Sequence, residues 1–323
     1  MRWLFRSYRR LKQLGILGMN MRNAAYILDH NPRALYPLVD DKLRMQHLCE
    51  QIGVPTPAVY GEILYHSMLR NLLDHLGDRE DFVIKPNRGS AGRGVLVLVG
   101  RQGKGYVRHN GESLRLEQIR QHVSDILSGM YSLGGRPDRA IIQQRVRIHP
   151  AFEPIAYKGI PDVRVILYRN EPAMAMLRLP TKASNGRANL HQGGIGAGID
   201  LASGITHHAV QHDRHVLSHP DTGIPVIGTR VPCWREVLDM SRRVAGAVKL
   251  GYIGVDIVID AEQGPMLLEA NARPGLAIQI ANARGLVPRL AEIDAMLDRP
   301  RTQQAVEDQA VAGKIGERLR RSA

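Results

Sequence analysis

One segment restricts the fold more than any other, because it predicts both a β-hairpin and its register. Residues 254–272 read GVDIVIDAEQGPMLLEANA, two apolar runs joined at a polar turn. In a regular antiparallel hairpin, the two residue numbers of every pair have the same sum. If Asp260 pairs with Pro265, Asp256 therefore pairs with Glu269. Two carboxylates directly opposite each other repel, so this pairing requires compensation.

A divalent cation would supply that compensation. Side chains alternate along a strand, so Glu269 and Asn271 share one face of the hairpin with Asp256. These residue types offer hard oxygen ligands, which suit Mg²⁺ or Mn²⁺ and argue against zinc. The alternative is that one carboxylate turns to solvent or pairs with Arg273. The set of three residues favours a metal site.

A second segment is rich in glycine and follows an apolar strand. Residues 84–94 read IKPNRGSAGRG, with glycines at 89, 92 and 94. Glycine lets backbone N–H groups approach a phosphate closely. Lys85 could reach the same phosphates as a point charge. The pattern is not a P-loop, which requires GK[ST] opening a helix. A flexible hairpin tip is the alternative, but together with a metal site the segment predicts a lid over a nucleotide.

Helices and strands are mixed along the chain without a regular βαβ rhythm. Residues 41–53, 113–130 and 233–251 are predicted helices, and residues 162–180 are a predicted hairpin. Residues 181–204 are rich in glycine and asparagine and are predicted to form a loop. This organisation favours an α+β fold with antiparallel sheets.

The charge balance favours anionic partners, since 44 Lys+Arg against 31 Asp+Glu give a net charge of +13. No long arginine-rich tract makes nucleic acid the favoured partner. Cys49 and Cys233 form no CxxC pair, which argues against a disulfide framework and favours a reducing cytoplasm. No run of about 18 apolar residues predicts a transmembrane helix. Residues 1–30 are a basic, helical candidate surface for a partner, and oligomeric state stays open.

Histidines cluster in one part of the chain. Six of the 13 fall within residues 191–219: His191, His207, His208, His212, His215 and His219. A zinc site is one interpretation, but no cysteine or paired acidic ligand accompanies these residues. The sequence favours a solvated loop for 207–219 and substrate contact for His191.

Six stretches, including the glycine-rich segment and the hairpin described above, follow one another along the chain in a defined order. They read DDKLRMQHLCEQIGVPTP, FVIKPNRGSAGRGVLVL, IIQQRV, PDVRVIL, NLHQGG, and the pair GVDIV and LLEANARPGL. Together they cover roughly residues 40–290, and this order resembles the ATP-grasp superfamily and, within it, the RimK-like α-L-glutamate ligases. The resemblance implies two α+β lobes with antiparallel sheets that sandwich ATP, behind a reduced N-terminal region.

The resemblance also implies a role for individual residues. It implies an ATP site at Lys42, Lys85, Gly89, Ser90, Gly92, Gly94, Gln143, Gln144, Arg145 and Val146. It implies a Mg²⁺ or Mn²⁺ site at Asp256, Glu269 and Asn271. It implies contacts with the γ-phosphate or the substrate carboxylate from Arg164 and Asn189, with Arg178 and Arg273 as weaker candidates.

Three features depart from the family pattern. The linker has Gln144 where the family usually has glutamate, and Arg273 stands where RimK-type enzymes have serine. About 40 residues precede the DKL helix, fewer than a complete N-terminal domain requires. The predicted organisation is a helical basic segment at 1–39, a first lobe at 40–139, a second lobe with the metal site at 140–300, and a polar tail at 301–323.

The chemistry that the resemblance implies is ATP-dependent ligation of a carboxylate to an amine. ATP converts the carboxylate to an acyl phosphate, which the amine attacks. The expected substrates are a small-molecule, peptide or protein carboxylate and an amino acid such as glutamate. Three alternatives stay open: an ATP- and Mg²⁺-binding module without turnover, an ATP-grasp phosphotransferase, and a nucleic-acid or membrane-surface protein that depends on the +13 charge.

Overall fold

The computed structural model describes residues 9–89, 92–103 and 105–298, which form two antiparallel β-sheets with helices packed on them. Residues 1–8, Ser90 of the predicted phosphate loop and the predicted tail at 301–323 lie outside the described residues. The α+β class and the antiparallel sheets predicted from the sequence are confirmed.

The first sheet belongs to the smaller lobe. Its strands are β1 (Val59–Ile63), β2 (Phe82–Pro86), β3 (Leu96–Gln102), β4 (Gly105–Arg108), β5 (Ser113–Leu114) and β6 (Ala140–Gln143). Their spatial order is β1-β6-β2-β3-β4-β5. The proline-flanked β1 lies at an edge, where a missing N–H donor is tolerated.

The second sheet has seven strands and holds most of the candidate site. Its strands are β7 (Asp162–Tyr168), β8 (Glu171–Leu179), β9 (Ile195–Ile199), β10 (Thr206–Gln211), β11 (Arg214–His215), β12 (Tyr252–Asp260) and β13 (Gly264–Asn271). Their spatial order is β11-β10-β9-β8-β7-β12-β13. Strands β7, β8 and β12 are almost fully buried, because helices or loops cover both faces of the sheet.

The helices are mostly short. They are α1 (Met19–Met21), continued by a π-helix at Arg22–Leu28, then α2 (Tyr36–Asp40), α3 (Lys42–Gln51), α4 (Leu72–Leu76), α5 (Leu116–Leu127), α6 (Trp234–Val248), α7 (Ile278–Ala281) and α8 (Val287–Leu297). Helix α3 begins where the Asp41 carboxylate accepts a hydrogen bond from the Arg44 backbone N–H. It is followed by Gly53, whose φ of +63° suits a helix end.

The second sheet separates two apolar cores. Val255 and Ile257 face the core that contains α6, together with Met45 and Cys49 of α3. Ile166 and Met174 face the other core, formed with Leu290 of α8 and the segment that precedes α2. Helix α3 therefore packs against the second sheet, although the sequence assigned it to the first lobe. The predicted lobe boundaries themselves stay a prediction.

The predicted hairpin is present, with one difference in register. Asp256 pairs with Glu269 as predicted, but Asp260 pairs with Gly264 rather than with Pro265. A β-bulge between Asp256 and Ile257 accounts for the difference, since Leu268 is an extra residue on β13. The bulge keeps the carboxylates opposite each other.

The predicted loop at residues 181–204 contains a strand that the sequence analysis missed. Residues Ile195–Ile199, with sequence IGAGI, form β9 and pair with both β8 and β10. Its glycines have a physical reason. A Cβ atom on Gly196 would lie 2.5 Å from the Leu190 side chain, and one on Gly198 would lie 2.6 Å from the Ala281 carbonyl oxygen. Neighbouring segments pack directly on this strand, so its glycines do not mark a loop.

The smaller lobe is joined to the rest of the chain by two adjacent connections. The Gln144 backbone N–H donates to the Ala58 carbonyl at 2.8 Å, and the Gln144 side-chain oxygen accepts from the Ala58 N–H at 3.0 Å. The Gln143 side chain donates to the Pro57 carbonyl at 2.9 Å. We call residues 55–58 and 144–147 the two-chain hinge.

Candidate functional site

Charged side chains gather on one face of the second sheet. Register places Glu269, Asp256 and Arg164 in one row across β13, β12 and β7. Asp162 and Arg178 face each other in the next row, on β7 and β8. Side chains of directly paired residues share a face. The sheet thus holds five charged groups on one face.

Asp256 is the most buried member of this group, with no exposed surface. Arg164 binds it in a bidentate manner, with Nε to Oδ1 at 2.6 Å and Nη2 to Oδ2 at 2.5 Å. The Nη2 atom of Arg178 donates to Asp256 Oδ2 at 2.8 Å, while its Nε atom donates to Asp162. Two arginines therefore supply, in this structure, the compensation that the sequence analysis assigned to a metal ion.

The electrostatics of this network follow from burial and charge. Burial alone would raise the pKa of Asp256, but the Arg164 and Arg178 guanidiniums outweigh it and hold that pKa well below its usual range. Burial raises the pKa of Asp162, and the charge of Asp256 adds to the rise while Arg178 opposes it. Of these two aspartates, Asp256 is the one that the arginines keep ionised.

Glu269 and Asn271 lie beside Asp256 but are less buried. The Asn271 Nδ2 atom lies 3.3 Å from Glu269 Oε1 and 3.4 Å from Asp256 Oδ2. The structure therefore brings the three predicted metal ligands together. Their oxygen donors fit a hard divalent cation, and Asp256 Oδ1 accepts one hydrogen bond where it can accept two. Glu269 and Asn271 are the ligands that a cation could reach from the cleft.

A cleft between the lobes connects these residues with the two predicted phosphate-binding lysines. Lys42, Lys85, Gln143 and Glu269 all line it. The Lys42 Nζ atom donates to the Gly89 carbonyl oxygen at 2.7 Å. Burial, together with the positive charge of Lys42, lowers the pKa of Lys85 to about 7, and the negative charge of Glu269 opposes this shift.

This pKa gives a testable pH dependence of ATP binding. The ammonium form of Lys85 would bind the polyphosphate, and this form is lost above pH 7 in the free protein. Binding must then take up a proton, so the Kd for ATP should rise by up to about tenfold per pH unit between pH 7.5 and 9.5. Calorimetry in buffers of different ionisation enthalpy would measure both the Kd and the proton uptake. In Lys85→Arg the Kd should be flat over this range, and a flat wild-type Kd would contradict the assignment.

The predicted glycine loop lies next to this cleft. A Cβ atom on Gly89 would lie 2.2 Å from the Pro86 ring, and one on Gly94 would lie 2.6 Å from the Tyr131 ring. Gly92 and Gly94 have φ values of +69° and +72°, which glycine adopts without strain. The backbone of this loop therefore requires glycine, as a phosphate-binding lid would.

The predicted adenine linker forms part of the two-chain hinge. Gln143 and Gln144 bond to residues 57–58 as described above. Arg145 forms an ion pair with Asp81 at 2.8 Å, so its side chain points away from a role in the cleft. Val146 is buried against Val258 and Met266. Adenine recognition through the backbone of these residues stays a prediction.

The remaining predicted contacts lie in different surroundings. The Asn189 side-chain oxygen accepts from the His191 N–H at 3.0 Å, so Asn189 caps the short turn at Leu190–Gln192. His191 is exposed. Arg273 is exposed, and its guanidinium lies 5.0 Å from the centre of the Tyr36 ring. Among the described residues its guanidinium forms no direct ion pair with a carboxylate, but its positive charge opposes the rise in the pKa of Asp40 that burial causes.

The histidine-rich stretch is not the solvated loop that the sequence analysis favoured. His207 and His208 lie on β10, His215 lies on β11, and His208 stacks on His215 with ring centres 4.6 Å apart. His219 is buried, and its Nε2 atom lies 2.9 Å from the Pro180 carbonyl oxygen. Within the described ranges, no three His, Cys, Asp or Glu residues are grouped as a metal site.

Sequence reasoning missed the role of Asp162 and underestimated Arg178. A signal was present: a hairpin with its turn at residues 169–170 places Asp162 close to Arg178 and Arg164 close to Met176. The same pairing argument that was applied to Asp256 and Glu269 would have brought Arg178 beside the carboxylates.

Comparison with known proteins agrees with this geometry. A family model described as "Sugar-transfer associated ATP-grasp" matches residues 21–295, most of the chain. Comparison with curated proteins gave no match. In the described part of the chain, no helix has the length and apolar character needed to cross a membrane.

Solved structures with a similar fold are distant in sequence. The ATP-grasp ligase PsnB, complexed with its minimal precursor, is 16% identical with a TM-score of 0.44, over 84% of this chain and 64% of that one. D-alanyl-alanine synthetase A from Vibrio cholerae is 11% identical with a TM-score of 0.46, over 80% and 60%. The RimK domain protein ATP-grasp from Sphaerobacter thermophilus is 13% identical with a TM-score of 0.45, over 81% and 70%. The chain thus spans less than two thirds of the first two proteins.

Proposed function

The chain belongs to the sugar-transfer associated ATP-grasp family, and from that premise we propose that it is an ATP- and Mg²⁺-dependent ligase that joins a carboxylate to an amine. The observation that carries the proposal is that two lysines and Glu269 line one cleft, and that Glu269 pairs across the sheet with Asp256, which Arg164 and Arg178 bind. Phosphoryl transfer to a carboxylate needs cations around the moving phosphoryl group and no side-chain nucleophile.

Each group in the cleft has a role in this proposal. Lys42 and Lys85 neutralise the triphosphate, and the glycine loop closes over it. Glu269, Asn271 and Asp256 would hold the Mg²⁺, which supplies charge stabilisation for the transferring phosphoryl group when it is bound. Arg164 and Arg178 stand next to these ligands, with guanidiniums able to bind a carboxylate or an oxyanion. The amine then attacks the acyl carbon of the acyl phosphate, the C–N bond forms, and the C–O bond to phosphate breaks with release of inorganic phosphate.

The free protein holds Arg164 and Arg178 on Asp256, which has a consequence for the order of events. A bidentate guanidinium–carboxylate pair orients both partners before substrate arrives. When the substrate carboxylate or the γ-phosphate enters, it offers the arginines a second anionic partner. The two arginines are therefore the groups most suited to steady the carboxylate during its activation.

The experiment that tests the function is ADP and phosphate release from ATP and Mg²⁺ in the presence of pooled amino acids, peptides and carboxylates. We expect one pool to stimulate release, and division of that pool would give the substrate. Mass spectrometry of the product separates ligation from phosphotransfer, because a ligation product has lost the phosphoryl group. Tight ATP binding without stimulation by any pool would favour a binding module that lacks turnover.

We propose that Arg273 recognises the amine substrate that accepts the acyl group. Arg273 is exposed and lies two residues after the proposed metal ligand Asn271. In Arg273→Ser the KM for an anionic acceptor such as glutamate should rise about ten- to a hundredfold, because a charge-assisted hydrogen bond is lost. The kcat and the Kd for ATP should stay within about twofold. Arg235→Ser, an exposed arginine on α6, serves as the matched control, and equal KM values in the two variants would contradict the assignment.

A further inference from the structure

The first described residues of the chain carry leucines and cations side by side on the surface. Residues 9–14 read RRLKQL, residues 9–13 are helical, and all six residues are exposed. Leu11 and Leu14 are 50% and 57% exposed. A surface helix ordinarily turns its apolar residues toward the core. This helix instead presents its leucines to the outside, which indicates a surface for a partner.

The exposed helix is attached firmly to the body of the protein just after Leu14. The Val287 N–H donates to the Gly15 carbonyl at 3.0 Å. The Leu17 N–H donates to the Gln279 side-chain oxygen at 2.8 Å, and the Gln279 side chain donates back to the Leu17 carbonyl at 3.1 Å. These hydrogen bonds give the leucines a defined position next to α7.

Residues around α7 add to the same surface. Ile280 and Arg284 line one groove together with Leu11 and Leu14. Ile280 is 45% exposed, and Arg284 is exposed as well. Three large aliphatic side chains therefore lie near one another without cover from the described part of the chain. We call residues 9–14 together with Ile280 and Arg284 the basic apolar patch.

Cations surround the leucines of the basic apolar patch. Leu11 and Leu14 are three residues apart and lie on the same face of the helix, while Arg10 and Lys12 flank Leu11 in sequence. In the described ranges, neither Arg10 nor Lys12 forms an ion pair. The groove lining includes one carboxylate, that of Asp213. The patch thus combines apolar surface with positive charge that the described residues leave unpaired.

The sequence of this part of the chain has the same character. Residues 1–28 contain six Lys and Arg and no Asp or Glu, and they include Trp3 and Phe5. Cations together with leucine and aromatic residues are typical of segments that lie in the interface of an anionic bilayer. A nucleic acid would attract the cations but would gain little from exposed leucines. An anionic bilayer uses both features, because its headgroups attract cations and its acyl chains accept apolar side chains.

We propose that the basic apolar patch binds the surface of an anionic phospholipid membrane. Its aliphatic side chains enter the boundary between headgroups and acyl chains, and its cations lie at the headgroup phosphates. The proposal does not depend on the ligase function, since it uses none of the residues of the cleft between the lobes. It adds a location to the proposed activity, because it holds the protein at a bilayer.

The first test is sedimentation of the full chain with vesicles of phosphatidylcholine alone or mixed with phosphatidylglycerol. We expect binding about tenfold tighter or more to the anionic vesicles, and added salt should weaken it by screening the attraction. Arg10→Ser with Lys12→Ser should weaken this binding roughly twentyfold, because each cation near an anionic surface contributes about a fivefold factor. Arg136→Ser with Arg235→Ser removes the same charge from exposed positions elsewhere and should bind like the wild type.

The second test addresses the leucines. Leu14→Asp should weaken binding to the anionic vesicles about tenfold or more, because an apolar side chain is replaced by a charge of the wrong sign. Leu64→Asp is the matched control, at a residue that is 42% exposed and lies directly after β1 in the smaller lobe. Both positions are at the surface, so Tm should be the same in both variants, which separates a loss of binding from a loss of folding.

Three outcomes would overturn the proposal. The first is no binding to either kind of vesicle, equal binding to both, or equal losses in the patch variants and their controls. The second is binding of a nucleic-acid fragment that needs Arg10 and Lys12 but not Leu14. The third is a concentration-dependent dimer that Leu14→Asp dissociates, since a second copy would then cover the leucines. ADP release with soluble substrates should be unchanged in Leu14→Asp, so the membrane proposal and the ligase function fail separately.

Discussion

Glu269→Ala is expected to lower Mg²⁺-dependent ADP formation about a hundred- to a thousandfold. Glu269 is the partly exposed carboxylate of the three proposed ligands, and it lines the cleft with Lys42 and Lys85. Loss of one charged ligand weakens the electrostatic stabilisation of the transferring phosphoryl group, which amounts to several kcal/mol in the transition state. The measurement is a coupled ADP assay over a range of Mg²⁺ concentrations.

The same variant should alter nucleotide binding in a second, independent way. Glu269 opposes the fall in the pKa of Lys85. Its removal should therefore lower that pKa further, and ATP binding without Mg²⁺ should weaken at a lower pH than in the wild type. Glu262→Ala is the control, because Glu262 lies in the turn of the same hairpin, is exposed, and pairs with Arg147. Equal activity in both alanine variants would contradict the metal site on this hairpin.

Asp256→Asn is expected to destabilise the free protein by about 3–5 kcal/mol, which lowers Tm on the order of 10 °C. Asp256 is fully buried, and the substitution leaves Arg164 and Arg178 without their shared carboxylate. Because the pKa of Asp256 is held below its unfolded value, this stabilisation is present at neutral pH and is lost only as pH falls through the folded pKa. Denaturant unfolding at pH 7 without nucleotide or Mg²⁺ measures the effect.

Two further variants test whether unpaired buried arginines cause the loss of stability in Asp256→Asn. Asp294→Asn breaks a partly exposed pair with Arg169 and should cost less than about 1 kcal/mol. Adding Arg164→Met to Asp256→Asn should recover part of the lost stability, since it removes one unpaired buried charge. If Asp256→Asn unfolds at the same denaturant concentration as the wild type, the arginines do not hold Asp256 in solution, and the prediction is contradicted.

The sequence was sufficient for the parts of the site that depend on strand periodicity. The pairing of Asp256 with Glu269, and the position of Asn271 on the same face, follow from alternation along two strands. The α+β fold and membership of the ATP-grasp superfamily are also confirmed. The matching family model is the sugar-transfer associated one, so the glutamate-ligase branch stays a prediction.

Other features could not be read from local patterns. The bulge at Leu268 changes register by one residue, and no turn or glycine in the sequence marks it. Strand β9 was predicted as a loop because its glycines were interpreted as flexibility, whereas Leu190 and α7 pack against them. The pairing of Arg164 and Arg178 with Asp256 requires strands β7, β8 and β12 to be neighbours in one sheet. Inspection of one hairpin at a time does not show which hairpins are neighbours.

The two-chain hinge has a consequence for how the protein folds. Residues 9–54 and 148–298 share the cores on the two faces of the second sheet, so the smaller lobe is an insertion in the middle of one folding unit. Lys85 and the glycine loop belong to the inserted unit, while Glu269 and Asn271 belong to the host. A nucleotide that contacts both adds its binding energy to their interface. Its presence should couple two separate unfolding transitions into one, making the ligand a structural link between the insertion and its host.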